Sequence, residues 1–404
     1  MQSVNFKVAD NPCNDIFDTP MLRGLCEKKS SLCLCRPQHL ERNASYGAII
    51  SGAARTIRIS HYSFQHFVLD PNSPMDTVYV FQNFSRHNPH DLHALSTVMH
   101  NASIILAHHS TIYQTMRNYT TTMGRPYLSS HDQLDDIQKD HKSGGIVDMW
   151  TNVGLSYTLL KQLMKNTGRQ YKLVLKTRPD IVYFTPLLMD SLLANYSRLG
   201  LYNPFYDFKD GKPIDEEKYP PERLLPPHAE PLAGPPLFFP QCGGFGGVTD
   251  RLFVGPIDHM DVVMSDSWLA NLISINITMA TELRKNIAPY LWPAKDYRGG
   301  HGTEQLLMTW VMWNHLPLAS IPFQSNLKFN FGILRPTAIS QYCNGKYLEG
   351  AHWTHSICVL VHPRHGDLVT KGSQLGHGFK KACSIYLHNK ANNETIPIND
   401  ILSQ

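Results

Sequence analysis

"YKLVLKTRPDIVYF", residues 171–184, has the make-up of a buried strand with charges set into its middle. Leu173, Val174, Leu175, Ile181 and Val182 are apolar, and Tyr, Val and Ile favour β structure. Yet Lys176, Arg178 and Asp180 fall within five positions. Charged groups are costly to bury unless they are paired or bind something. The stretch therefore reads as a core strand over 171–175. Beyond it the chain leaves the core and delivers Lys176, Arg178 and Asp180 to an edge of the sheet.

The surrounding elements alternate between strand and helix. "SYGAIISGAART" (45–56) is an apolar run ending in Ser-Gly and then Arg55, a strand entering a turn. "MDTVYVFQNFS" (75–85) and "ASIILAHH" (102–109) are further strands. "HDLHALSTVMH" (90–100) has helical spacing, with Leu92, Leu95 and Met99 on one face. "DMWTNVGLSYTLLKQLMKNTG" (148–168) spaces Trp150, Val153, Tyr157, Leu160 and Met164 as a helix and closes on a C-cap glycine, Gly168. This alternation predicts an α/β fold with a largely parallel sheet. Such sheets bind ligands at the carboxyl ends of their strands. If strands 45–56 and 171–184 run parallel, Ser51 to Arg55 and Arg178 to Asp180 share that edge.

Farther along, residues 203–240 are rich in proline around "YPPERLLPPHAEPLAGPP". They read as a surface insertion that is neither helix nor strand; a loop shaping an acceptor site is the alternative. "QCGGFGGVTDRLFVGP" (241–256) is a Gly-rich turn into a strand. "HGTEQLLMTWVMWNHLPLASIPF" (301–323) is a helix, with Thr303 as N-cap before Glu304, followed by a short strand. There is no internal repeat.

The 404 residues have room for one large α/β domain with insertions or two smaller ones. Hydrophobic content of 42% and charged content of 17% fit a globular chain. A net charge of +4 without a basic run argues against nucleic acid as partner. The 21 histidines make the charge sensitive to pH near 6.5. No window reaches 18 apolar residues, and the start "MQSVNFKVAD" lacks the pattern of a signal peptide. Two features nevertheless point to the secretory pathway. Seven N-x-S/T sequons occur, at Asn43, Asn83, Asn101, Asn118, Asn195, Asn276 and Asn393, where chance would place about three. Cysteines crowd both ends, as Cys13, Cys26, Cys33 and Cys35 and as Cys343, Cys358 and Cys383, which suits disulfides that staple tails to a core. The expected location is the Golgi or endoplasmic reticulum lumen, reached through an N-terminal anchor outside this stretch. A cytoplasmic chain with reduced thiols is the alternative. Zinc is the rival use of the cysteines, but "CLC" is C-x-C and no C-x2-C follows.

Several chemistries lack their motifs. There is no G-x-x-x-x-G-K-[ST], no dinucleotide fingerprint at "GGFGG" and no G-x-S-x-G. His87, His90 and His93 recur every third residue, a spacing that drifts around a helix, with Pro89 interrupting it. His108–His109 and the later His352, His355, His362 and His365 read mainly as isolated residues; one of the latter completing a metal site formed elsewhere is the alternative. "KTRPD" carries more. A carboxylate at a strand end beside fixed cations can hold a divalent metal that neutralises a diphosphate. Arg178 can pair with phosphate, or with Asp180 itself as an ion pair shaping the turn around Pro179. Both readings fit these residues.

The ordered set "GAIISGAARTIR", "DTVYVFQNFS", "MWTNVGLSYTLLKQLM", "YKLVLKTRPDIVY", "GGVTDRLFVGPIDHMDVV" and "GTEQLLMTWVMWNHLPLASIPF" resembles GT-A-fold glycosyltransferases over roughly residues 45–330. It looks most like the WavE-like lipopolysaccharide-synthesis type and its uncharacterised eukaryotic and viral relatives. The resemblance implies a GT-A-like mixed sheet flanked by helices over 45–334. A Cys-rich segment over 1–44 and an extension over 335–404 would pack on it. It implies a nucleotide-sugar donor and a glycan or glycoprotein acceptor. Carried over, Ser51, Gly52 and Arg55 would meet the donor nucleotide. Asp180 would bind a divalent cation, Mn2+ or Mg2+, or the diphosphate, with Arg178 and Lys176 beside it. Asp250 would sit on the acceptor side. Glu304 would be the base that takes the acceptor proton, or else a first-turn residue favoured by the helix dipole. The motif departs from DxD, since residue 178 is Arg. Arg178 and Lys176 would then share in stabilising the leaving diphosphate.

Overall fold

The computed structural model describes residues 15–27, 31–37, 43–53, 56–82, 99–108, 143–196, 208–209, 212–213, 234–240, 248–264, 304, 307–308, 310–311, 314–321, 331–334, 343, 357–358 and 376–391. In chain order these form α1 (Pro20–Cys26), β1 (Leu32–Cys35), β2 (Tyr46–Ala53), α2 (Ile57–Phe64), β3 (Met75–Gln82), β4 (Ile104–Ala107) and α3 (Ser143–Thr167). Next come β5 (Leu173–Thr177), β6 (Ile181–Tyr183), α4 (Met189–Asn195), β7 (Phe208–Lys209), β8 (Lys212–Pro213) and β9 (Leu237–Pro240). Then follow β10 (Phe253–Gly255), α5 (Ile257–Met264), β11 (Leu318–Ile321), β12 (Phe331–Ile333), β13 (Ile357–Cys358) and α6 (Gly376–Ala391).

The architecture is α/β, built on an eight-stranded mixed sheet in the order β1-β4-β3-β2-β5-β10-β9-β11. Strands β4, β3, β2 and β5 are mutually parallel, as the strand–helix alternation predicts. The flanks are not uniformly so. β1 runs antiparallel to β4, and β10 runs antiparallel to both β5 and β9. The reason is local: only residues 241–252 separate β9 from β10, and an antiparallel return needs no crossover helix.

Side chains alternate between the two faces of the sheet. Ala48, Ile50, Tyr79, Phe81 and Leu175 join one core with residues of α2, α4 and β6. Ile49, Val78, Val80 and Val174 join the other, with Trp150, Val153, Leu160 and Leu163 of α3 and Met260 of α5. Helix α3 therefore buries the stripe predicted from its spacing. Gly168 ends it at φ +67°, a conformation that glycine adopts without the Cβ penalty.

The opening stretch differs from its sequence reading. β5 does not stop at residue 175 but runs through Lys176 to Thr177. Residues 181–183 then form β6 in a separate three-stranded sheet with β12 and β13. "YKLVLKTRPDIVYF" is thus two strands of two sheets, and Arg178-Pro179-Asp180 is the corner between them. The proline-rich insertion differs too. Within 203–240, β7 and β8 pair as a small ladder, and β9 is a buried strand of the main sheet. Leu237, Phe238 and Phe239 are apolar, so burial outweighs the proline content next to them. Residues 90–98 of the helix read at 90–100, and the histidines at 87, 90 and 93, lie outside the described residues; 99 and 100 form a turn, with Met99 buried as its place on the apolar face implied.

A second polar cluster sits at the amino edge of the parallel strands. Asp76 accepts hydrogen bonds from Arg169, from the Tyr171 hydroxyl at 2.6 Å and from the Ser103 hydroxyl at 3.0 Å. It ties the starts of β3 and β5 together. The ends of the chain are stapled by Cys26–Cys33 and Cys343–Cys383, and Cys35 is disulfide-bonded as well. Cys33 and Cys35 are therefore not thiolates for zinc. Phe379 of α6 meets Tyr62 of α2 edge-on, with ring centroids 6.2 Å apart. No helix among the described residues is long and apolar enough to cross a membrane.

Candidate functional site at the carboxyl edge of the sheet

β2 and β5 are parallel, with Ile50 opposite Thr177, so both release their chains at the same edge. Gly52 sits there at φ +139°, a conformation that side chains rarely adopt. A Cβ on it would lie 3.2 Å from Cδ of Pro179. The turn after β2 therefore abuts the RPD corner directly. Ser51 beside it has a buried hydroxyl with no hydrogen-bond partner, as does Thr56 at the start of α2. Buried polar atoms rarely go unsatisfied. Arg55 lies outside the described residues.

The corner is pinned from several sides. The Ser60 hydroxyl of α2 donates to the Pro179 carbonyl at 2.5 Å. The Leu334 amide donates to the Asp180 carbonyl at 2.7 Å. The Thr177 and Tyr183 hydroxyls share a hydrogen bond of 2.6 Å across the bend. Arg178 forms a fork on Asp180, Nε to Oδ1 at 2.9 Å and Nη2 to Oδ2 at 2.7 Å. Burial, the largest single influence, would lower the Arg178 guanidinium, but Asp180, Asp250 and Glu304 together hold it above its ordinary value. The internal ion pair is thus the arrangement observed.

Lys176 does not reach the ligand edge, contrary to its place in the sequence reading. It is 0% exposed, and Nζ donates to the carbonyl of Asp250. It sits 5.5 Å from the Trp150 ring centroid and 5.7 Å from that of Phe253, in range for cation–π attraction. Burial pushes the ammonium down to about 8, against the opposing pull of Asp250. Its position follows from register, because Phe253 of β10 lies directly opposite Lys176. The antiparallel return of β10 carries Val248 to Arg251 to the carboxyl end of β5.

Glu304 joins the same cluster. It is helical, and its carbonyl accepts from the Val248 amide at 3.1 Å. Burial first, and then the Asp250 carboxylate, raise its carboxyl to about 7; Arg251 and Arg178 act in the opposite direction. Ser51, Gly52, Arg178, Asp180, Asp250 and Glu304 are therefore gathered at one edge, with Lys176 beneath them. Thr303, the expected N-cap, lies outside the described residues. Sequence reasoning missed Arg251, which is buried and acts electrostatically on Glu304. It stands next to Asp250 in "TDR", so the signal was there. Trp150 was read only as helix stripe, and its ring under Lys176 depends on tertiary placement.

Both Asp180 oxygens are engaged by Arg178, and no group of three or more Asp, Glu, His or Cys side chains suited to a metal occurs among the described residues. His108, one of the isolated histidines, is buried with Nε2 at 3.1 Å from Oδ1 of Asn152.

No protein-family model matches the chain, and no curated protein matches it significantly. Among solved structures it is similar to mouse xyloside xylosyltransferase 1 in its apo form. The TM-score is 0.31 at 10% identity, covering 69% of this chain and 85% of that one. A superposition this loose transfers no residue from one chain to the other.

Proposed function

We propose that the chain is a GT-A-like glycosyltransferase that moves a sugar from a nucleotide-sugar donor to a hydroxyl of a glycan or glycoprotein. The observation that carries this reading is the gathering of Arg178, Asp180, Asp250 and Glu304 at the carboxyl edge of β2 and β5. Open α/β sheets bind ligands at that edge. The unmet hydroxyl of Ser51 and the Gly52 turn suit the donor nucleotide. The WavE-like type is a finer form of the same proposal and rests on the quoted motifs.

In this reading the acceptor hydroxyl gives its proton to the Glu304 carboxylate as its oxygen attacks C1 of the donor sugar. The bond from C1 to the diphosphate oxygen breaks, and the nucleoside diphosphate leaves. A carboxyl titrating at about 7 is matched to proton transfer near neutral pH. Arg178, held in place by Asp180, provides fixed positive charge toward the leaving diphosphate. Lys176 adds to the field from below and holds the Asp250 backbone; it does not touch the donor. Asp250 faces the acceptor side. No step is assigned to a divalent cation.

The secretory lumen is the proposed location, supported by the disulfides at both ends. A silent GT-A-like domain that binds carbohydrate is the second reading. It is favoured by one observation, the closure of Asp180 onto Arg178. A thermal-shift screen of nucleotide sugars, with and without Mn2+, tests the donor by mass action. Turnover assays of the stabilising ligands then separate the two readings. A donor that binds but is neither transferred nor hydrolysed would support the silent domain.

A further inference from the structure

Three of the seven sequon asparagines are among the described residues, and their surroundings differ. Asn101 is part-buried, and its side-chain amide donates to Oε1 of Gln65 at 2.8 Å. The third residue of that sequon, Ser103, is buried and donates to Asp76 in the amino-edge cluster. Asn195 is in the last turn of α4, where its amide donates back to the Ser191 carbonyl at 2.9 Å. Asn43 is exposed and lies in an irregular stretch three residues before β2. No hydrogen bond of its side chain is seen. The chain just beyond it is anchored, because Ala44 is buried and the Ser45 carbonyl accepts from the Lys172 amide at 2.9 Å.

We infer that Asn43 carries an N-linked glycan and that Asn101 and Asn195 do not. A glycosylated asparagine needs a surface loop with room for a bulky polar group. Nδ2 of Asn43 forms a bond to C1 of a lipid-diphosphate oligosaccharide. The C1–O bond to the diphosphate breaks, the lipid diphosphate leaves with the electron pair, and the amide loses one proton. A glycan on Asn101 would instead have to displace Gln65 from the amide. Position also favours Asn43. It lies at the amino end of β2, and the eight residues of that strand put it about 25 Å from the carboxyl-edge cluster. A glycan there shields the amino edge and leaves the candidate site open. The inference rests on the lumenal reading.

The test is the full chain secreted from a eukaryotic host, digested without reduction and deglycosylated enzymatically in heavy-oxygen water. Mass spectrometry should find the heavy label at Asn43 and none at Asn101 or Asn195. Asn43→Gln should lose one glycan on a gel and keep its turnover of nucleotide sugar. Disulfides with an unlabelled Asn43, or label at Asn101 equal to that at Asn43, overturn the inference and leave the lumenal reading standing. Eight free thiols with no glycan at any sequon, in protein taken from its native source, overturn both.

Discussion

Glu304 titrates near neutrality and Lys176 about a unit above it, and both bear on the proposed chemistry. Glu304 is raised to about 7 by burial and Asp250, so it becomes a carboxylate, and hence a base, only as pH rises through that value. Lys176 is lowered to about 8, so its charge is lost above that value. The expected profile of kcat/KM is a bell with limbs near 7 and 8, belonging to the cluster rather than to single groups. Glu304→Gln should lower kcat about 10^2- to 10^4-fold with little change in donor binding. Equal loss of both would make Glu304 a structural residue. Stability moves the opposite way. A carboxyl raised from 4.5 to about 7 stabilises the fold when protonated. That contribution is complete below 4.5 and is lost as pH rises through 7, an upper limit of about 3 kcal/mol. Urea melts should therefore show Glu304→Gln gaining on the parent between pH 4.5 and 8. At the corner, Arg178→Ala leaves Asp180 buried without its fork. A double-mutant cycle with Asp180→Ala should give a coupling of about 1–3 kcal/mol.

At the scale of elements, the corner between β5 and β6 is what the site is built on. Gly52 and Pro179 touch there, so the turn after β2 and the turn after β5 are one packed unit. Gly52→Ala puts a side chain at φ +139° and 3.2 Å from Pro179. The expected cost is about 1–3 kcal/mol of stability, with a weaker donor response in the thermal-shift assay. A neutral Gly52→Ala would show that the two turns are not coupled. β10 matters as much. Its antiparallel register places Phe253 on Lys176 and so brings Asp250 and Arg251 to the edge. "GGVTDRLFVG" announces a strand, but not which neighbour it joins or in which direction.

The whole molecule is held by two cores, one on each face of the sheet, and by disulfides at its ends. The bridges span different loops: seven residues for Cys26–Cys33 and forty for Cys343–Cys383. Loop-closure entropy makes the longer one worth about 4 kcal/mol and the shorter about 2 kcal/mol. Replacing Cys343 and Cys383 by serine should thus lower Tm more than replacing Cys26 and Cys33. The reverse order would mean that the C-terminal helix α6 is held mainly by its packing on α2.

Periodicity and end signals determined β2, β3, β4 and α3, because each shows its own pattern over adjacent residues. Trp150, Val153 and Leu160 repeat at helical spacing, and Gly168 stops the helix. The same local chemistry singled out "KTRPD" as a place where charge needs a partner. Which partner it takes is a tertiary matter. Arg178 folds back on Asp180, whereas Lys176 goes under the sheet edge to the Asp250 carbonyl. Residue spacing cannot separate these outcomes, because Asp250 is 74 residues from Lys176 and only the β5–β10 pairing joins them. Glu304 likewise acquires its neutral-range carboxyl from burial beside Asp250, a property of packing and not of its position in a helix.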